Sequence, residues 1–129
     1  MTKFFWALIS FLGLAASAQE SLAQSVSQFI YVKIPEQIEP IARGEKYEDP
    51  LDAFLKGKGL GEVSGGGTMM SAPDKDGKKK IEYVGLDVDL SDFNGGLPIL
   101  KEELIRLGVP KGTVLEYTRN GVNHSEPVK

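Results

Sequence analysis

The 129-residue chain contains no cysteine and a single histidine, His124. Without cysteine it can form no disulfide, no thiol nucleophile and no cysteine-based zinc site, so the domain must be held together by its hydrophobic core. His124 lies in a polar segment after an Asn-Gly pair, where a histidine-dependent triad or zinc site is not expected. The sequence therefore predicts no cofactor and no metal site.

Positively charged residues are also fewer than negatively charged ones. Lys and Arg number 15 against 18 Asp and Glu, which gives a formal net charge of −3 and an isoelectric point near 5.2. Binding to nucleic acid requires clustered positive charge. The one basic run, Lys78 to Lys80, stands next to Asp74 and Asp76 and is typical of a solvated hairpin end. We therefore expect no nucleic acid partner.

The N-terminal segment has the form of a secretory signal peptide. A short basic start precedes an apolar run over residues 4–16 and a small-residue site at residues 16–18, the order that signal peptides show. The apolar run is shorter than the ~20 residues that a bilayer-spanning helix needs. We expect cleavage after Ala18, or else after Ala23. This predicts an exported protein, periplasmic or secreted, that keeps no membrane anchor.

Apolar periodicity predicts four strands and two helices in the remaining chain. Residues 29–34 form a β-branched and aromatic run that predicts a strand. Asp49 and Pro50 indicate the start of a short helix, because Asp can cap the first turn and Pro suits the first helical position. We read residues 35–48 as an irregular connection. The other elements are strands at residues 62–71, 80–90 and 112–118, and a second helix with an apolar stripe at Phe93, Leu97, Leu100, Leu104 and Leu107.

The order of these elements, β-α-β-β-α-β, is that of the ferredoxin-like arrangement. The fold class predicted is therefore α+β, with a four-stranded antiparallel sheet, two helices on one face and the other face open. We assign residues 1–18 to the signal peptide and residues 19–27 to a flexible leader. Residues 28–119 are then a single domain, and residues 120–129 a polar tail.

Several strings in the domain resemble small bacterial proteins and domains to which no activity is attached. These strings are Asp49-Pro50-Leu51-Asp52, the glycine-rich run at residues 59–68, Gly85-Leu86-Asp87-Val88-Asp89-Leu90, and the segment from Gly96-Leu97-Pro98 to residues 108–113. The resemblance covers roughly residues 29–117. It implies a bacterial exported domain and transfers no catalytic residue.

The open face of the predicted sheet carries the first group of candidate binding residues. Side chains alternate between the two faces of a strand, so Tyr31 and Lys33 of the first strand share this face with Tyr83, Asp87 and Asp89 of the third. Aromatic side chains mixed with charge suit contact with a protein or a small ligand. A second copy of the chain could cover the same face and form a homodimer.

The glycine-rich strand carries the second group, Gly65, Gly66 and Gly67. Three successive glycines could form a nest of backbone N–H groups for an anion. They are more typical of a bulged or flattened strand on which a neighbouring element packs closely.

Two functional hypotheses follow from these residues. The favoured one is an exported, non-catalytic interaction module that binds a protein or a small ligand through its open sheet face or its glycine-rich strand. The alternative is a small hydrolase or metal-dependent enzyme that uses the carboxylates of Asp87 and Asp89 together with Glu62. The sequence contains no catalytic motif, so it favours the interaction module.

Overall fold

The computed structural model describes residues 27–129, so the predicted signal peptide and nearly all of the predicted leader lie outside the described residues. Within this range, the chain forms five strands and two helical segments in the order β-α-β-β-α-β-β, where the first helical segment spans residues 40–57. No helix of residues 27–129 is both long and apolar enough to cross a membrane. The elements are β1 (Gln28–Ile34), α1 (Pro40–Arg43), a π-helical stretch (Gly44–Glu48), α2 (Asp49–Gly57), β2 (Gly61–Met70), β3 (Ile81–Leu90), α3 (Phe93–Arg106), β4 (Val114–Arg119) and β5 (Val122–Pro127).

The five strands form one antiparallel sheet in the order β2-β3-β1-β4-β5. The α+β class and the antiparallel sheet are thus confirmed. The prediction of four strands is wrong, because residues 122–127 pair with β4 along its full length. Asn120 and Gly121 both have positive φ, at 53° and 76°, and such a pair makes the tight turn that joins two hairpin strands. The predicted polar tail is therefore the edge of the sheet.

The connection after β1 is helical, whereas the sequence analysis expected irregular structure. Pro40 stands in the first turn, where its missing N–H costs no hydrogen bond. Three helical stretches then run without a break from Pro40 to Gly57. Tyr47, in the π-helical stretch, is fully buried and donates a hydrogen bond to Glu36 through its hydroxyl. Burial of this large ring stabilises a segment whose local sequence favours a loop.

Helix α3 begins directly after its capping residue, Asp92. The carboxylate of Asp92 accepts a hydrogen bond from the backbone N–H of Gly95 at 3.2 Å, which satisfies one of the free donors of the first turn. Helix α3 starts at Phe93, the first residue of the predicted apolar stripe, because this cap and the packing of Gly96 against Leu90 hold the first turn in place.

A single hydrophobic core fills the space between the helices and one face of the sheet. Both helical segments contribute leucines to it, so they lie on the same side. Val128, just after β5, is also buried, which ties the C-terminal end of the chain to the core. The fully buried core residues of the strands are Ile30, Val32, Ile34, Val84, Leu86, Val88, Leu90 and Leu115, and those of the helices are Leu51, Leu55, Leu100 and Leu104.

The glycine-rich strand β2 is bulged, as the sequence indicated. Its register against β3 shifts by one residue at Ser64, between Val63 and Gly65. Gly66 faces the helices, and a side-chain carbon on it would lie 2.7 Å from a carboxylate oxygen of Glu48. A side chain at position 66 would therefore displace the Glu48 carboxylate, which forms an ion pair with Arg43.

Candidate functional site

The face of the sheet away from the helices carries all five polar and aromatic residues singled out on β1 and β3. Tyr31 is opposite Asp87, and Lys33 is opposite Gly85. Each of the five side chains is partly exposed, so a ligand could reach them. The alternation of side chains along β1 and β3 therefore predicts the same face as the structure shows for Tyr31, Lys33, Tyr83, Asp87 and Asp89.

The three glycines of β2 do not act as a unit. Gly65 is opposite Asp87, and Gly67 is opposite Gly85, so both face the open side, while Gly66 faces the helices. All three have extended, sheet-paired backbone, whereas a nest requires successive N–H groups to converge in a turn. The structure therefore does not bring Gly65, Gly66 and Gly67 together as an anion site.

Lys33 is engaged within the open face. Its ammonium nitrogen lies 4.4 Å from the centre of the Tyr83 ring, within the range of a cation–π interaction. The lysine therefore covers Tyr83 at one end of the face, and the carboxylates lie further along it. Within residues 27–129, Asp87 and Asp89 form no ion pair with a lysine or arginine side chain.

Tyr31 crosses from β1 to β3 and lies over Gly85. A side-chain carbon on Gly85 would be 2.0 Å from the Tyr31 hydroxyl oxygen and 2.3 Å from the ring carbon that carries it. The ring buries Gly85 on a face that is otherwise open. Burial of the phenol raises the pKa of Tyr31, and the neighbouring Tyr83, Asp87 and Glu116 raise it further, while the positive charge of Arg43 lowers it.

A cavity of about 510 Å³ lies on the other side of Tyr31, above strands β1, β4 and β5. Aromatic rings from β1, a carboxylate from β4, and amide and hydroxyl groups from β4 and β5 lie around it. The lining residues are Gln28, Phe29, Tyr31, Glu116, Tyr117, Thr118, Asn123, His124 and Ser125. Most of these were not among the candidates from sequence, because the third wall of the cavity is the strand β5.

Glu116 is the acidic group of this cavity. It is opposite Tyr31 on one side and Ser125 on the other, and its side chain is partly buried. Within residues 27–129, it forms neither an ion pair nor a side-chain hydrogen bond, although four other glutamates are ion-paired, namely Glu36, Glu48, Glu103 and Glu126. Glu116 is therefore a carboxylate that a ligand cation can approach directly.

The two aspartates of β3 do not extend into a metal site. Asp87 and Asp89 point to the same side of the sheet, and Glu62 is opposite Asp89 on β2. Within the described part of the chain, no group of three or more His, Asp or Glu side chains is placed to hold a metal ion. The chemistry that this face offers is that of carboxylates, phenols and aromatic surfaces.

No protein-family model matches the sequence, and a comparison with curated proteins finds no match. Among solved structures, a phage SAM lyase in complex with S-methyl-5'-thioadenosine is similar, with a TM-score of 0.49 and 13% sequence identity. The match covers 80% of this chain and 91% of that one. That protein is an enzyme, so the prediction of a non-catalytic interaction module is wrong on this comparison. The likeness assigns no ligand and no residue role to this chain.

Proposed function

We propose that the cavity above β1, β4 and β5 is the active site of an enzyme that acts on a small, flat cation, with Glu116 as the proton acceptor. One observation carries the proposal. The carboxylate of Glu116 lies in a cavity lined by aromatic rings, and no side chain of residues 27–129 pairs with it. A carboxylate held against apolar rings attracts a cation more strongly than one in open water.

The size and lining of the cavity fit a small organic molecule. Its volume of about 510 Å³ lies within the roughly 300–1,000 Å³ range that small-molecule sites occupy. Phe29 is 47% exposed, so its ring is available for stacking. Tyr31 provides a second ring beside it, while Asn123 and Ser125 provide polar groups that can orient a ligand.

The charge of the open face favours a cation over an anion. Acidic side chains extend across three strands of this face, at Glu62, Asp87, Asp89 and Glu116. The basic side chain among them, Lys33, lies over Tyr83, away from the cavity lining. A face with this excess of negative charge raises the local concentration of cations.

Glu116 can also perform chemistry on a bound cation. A positioned carboxylate is a common general base, and a positive charge in the ligand makes neighbouring C–H and N–H groups more acidic. Phe29 and Tyr31 would hold the flat part of the ligand through cation–π contact and stacking. Glu116 would then receive a proton from the ligand and return it to the product or to water.

Benzamidine tests the binding part of this proposal, because it is a small planar cation whose amidinium matches a carboxylate in two parallel hydrogen bonds. Benzamide has the same shape and no charge. We expect calorimetric titration of wild-type protein to show binding of benzamidine and at least about tenfold weaker binding of benzamide. The Glu116→Gln variant should lose this preference, because removing the charge-assisted contact costs on the order of 1.5–3 kcal/mol.

The Glu102→Gln variant is the matched control, because it makes the same change of charge at an exposed position on the helical side of the sheet. It should bind benzamidine as the wild type does. Equal binding of benzamidine and benzamide by the wild type, or an unchanged preference in Glu116→Gln, would overturn the proposal.

We further propose that β1 to β4 with the two helical segments form a ferredoxin-like unit to which β5 is added. The support is the strand order β2-β3-β1-β4, which follows from two β-α-β halves joined through the β2–β3 hairpin. An experimental structure in which β1 does not lie between β3 and β4 would contradict this assignment.

Export remains part of the proposal, on the strength of the apolar run and the small-residue site at residues 16–18. We expect the full-length chain, expressed in a bacterial host, to lose residues 1–18 during secretion. Intact-mass analysis of protein from the cell envelope and the medium measures this directly. Protein that retains Met1 to Ala18 in both fractions would count against export through this segment.

A further inference from the structure

We infer that Gly85 is a positioning residue that keeps the active-site cavity open by giving the Tyr31 ring a place to lie. The inference rests on the proposed function for its link to ligand binding. It depends on one geometric fact, the absence of a side chain beneath the Tyr31 ring. A carbon at that position would lie 2.0, 2.3 and 2.5 Å from the hydroxyl oxygen and two carbons of Tyr31.

These distances leave no room for adjustment at the Gly85 end. Cross-strand neighbours do not approach closer than about the sum of their van der Waals radii without displacement of one partner. The backbone of Gly85 is held on both sides, by Lys33 of β1 and Gly67 of β2. The Tyr31 side chain rotates about single bonds, whereas the interior strand β3, paired with β1 and β2, cannot shift without disturbing both ladders. Any residue larger than glycine at position 85 must therefore displace the ring.

The direction of that displacement follows from the neighbours of Tyr31. Asp87 lies directly opposite it on β3, and the space above Gly85 would be filled by the new side chain. On the other side, towards Glu116 of β4, lies the cavity of about 510 Å³. The displaced ring therefore moves into the cavity, where it covers Glu116. Gly85 does not touch the ligand and controls access to the site through Tyr31.

The sequence provides a matched control in the cross-strand partner of Gly85. Gly67 lies directly opposite Gly85 on β2 and faces the same side of the sheet, but a side-chain carbon on it would have no heavy atom within 4 Å. Gly67 lies outside the cavity lining. Gly85→Ala and Gly67→Ala thus make the same chemical change in neighbouring strands, with and without the tyrosine ring above it.

The first measurement is the position of the Tyr31 ring by NMR, which requires no ligand. In the wild type and in Gly67→Ala, we expect nuclear Overhauser contacts between the ring protons of Tyr31 and the α-protons of Gly85. In Gly85→Ala, we expect these contacts to be replaced by contacts with the side chain of Glu116. A ring that stays over position 85, or that moves away from Glu116, would overturn the inference whether or not the cavity binds a ligand.

The second measurement is benzamidine binding by the same proteins. We expect affinity to fall at least about tenfold in Gly85→Ala and to stay unchanged in Gly67→Ala. Removing the ring should abolish the effect, so Gly85→Ala/Tyr31→Ala and Tyr31→Ala should bind benzamidine equally. This double variant also removes the clash, which keeps the test valid if Gly85→Ala alone folds poorly. Weaker binding by the double variant than by Tyr31→Ala would overturn the inference, because Gly85 would then act independently of the ring.

Discussion

Tyr31 of β1 lies over Gly85 of β3, and a side-chain carbon on Gly85 would be 2.0 Å from the tyrosine hydroxyl oxygen. The ring of Tyr31 thereby divides the open face of the sheet into two parts. On one side of the ring are Asp87, Tyr83 and Lys33, and on the other is the cavity that contains Glu116. The phenol is partly buried between the carboxylates of both parts.

The titration of Tyr31 reports this environment. Burial raises its pKa above the ordinary value of 10.0, and the charge of Asp87 contributes to the increase. We expect Asp87→Asn to lower the pKa of Tyr31 towards 10.0, because it removes a negative charge that disfavours the phenolate. NMR titration of the tyrosine ring carbons measures the change. Asp89→Asn serves as the control, since Asp89 is not among the charges that act on Tyr31; an equal effect of both variants would contradict the placement.

The C-terminal strand should contribute to the stability of the fold through Val128. This side chain is 6% exposed, while Val122 at the other end of β5 is 55% exposed. We expect Val128→Ala to lower the free energy of unfolding by about 1.5 kcal/mol, the transfer cost of the two carbon groups removed. Val122→Ala should change it by less than about 0.5 kcal/mol. Urea unfolding of both variants compares them, and equal values would show that the end of the chain is not docked.

Glu126 of the same strand should make stability depend on pH in the acid range. The Lys101 ammonium and then the Tyr117 hydroxyl donate hydrogen bonds to its carboxylate, which lowers the pKa of Glu126 below the ordinary value of 4.5. A carboxyl whose pKa is lower in the folded state stabilises the fold above its unfolded pKa. This contribution is lost as the pH falls through the folded value.

We therefore expect Glu126→Gln to be less stable than the wild type by roughly 1 kcal/mol at neutral pH. The difference should shrink once the pH falls below the ordinary value of 4.5. Urea unfolding from neutral pH to about pH 3 follows both proteins through this range. A difference that stays constant over the whole range would show that the ionised carboxylate is not the stabilising form.

The sequence predicts the centre of this sheet well and its edge poorly. In β1 and β3, apolar and polar residues alternate, and the core faces of Ile30, Val32, Val88 and Leu90 could be read directly from that alternation. Strand β5 has no such pattern, because both of its faces are largely exposed. Its one local signal is the pair Asn120-Gly121 before it. This pair is typical of a hairpin turn, but the polar residues after it are equally typical of a tail beyond the domain.

The missed strand explains why the candidate site was only partly predicted. Tyr31, Asp87 and Asp89 were placed on the open face from alternation alone. The cavity beside them exists because β5 provides its far wall. Without β5, nothing in the sequence indicates that Glu116 lies in a cavity. Residues 40–48 are helical for a reason that the local sequence does not show. Burial of Tyr47 stabilises the helical backbone by more than the low helix propensity of Pro40 and Gly44 destabilises it.

Deuterium exchange tests the central claim, that Glu116 takes protons from a cation bound in the cavity. The purified protein is incubated in D2O with a panel of small aromatic and heterocyclic cations, and mass spectrometry measures deuterium at carbon-bound positions. We expect at least one ligand of the cavity to gain deuterium with the wild type and with Glu102→Gln, and not with Glu116→Gln. Exchange that continues in Glu116→Gln, or ligands that bind in the cavity and gain no deuterium with the wild type, would contradict the assignment of this face as an active site.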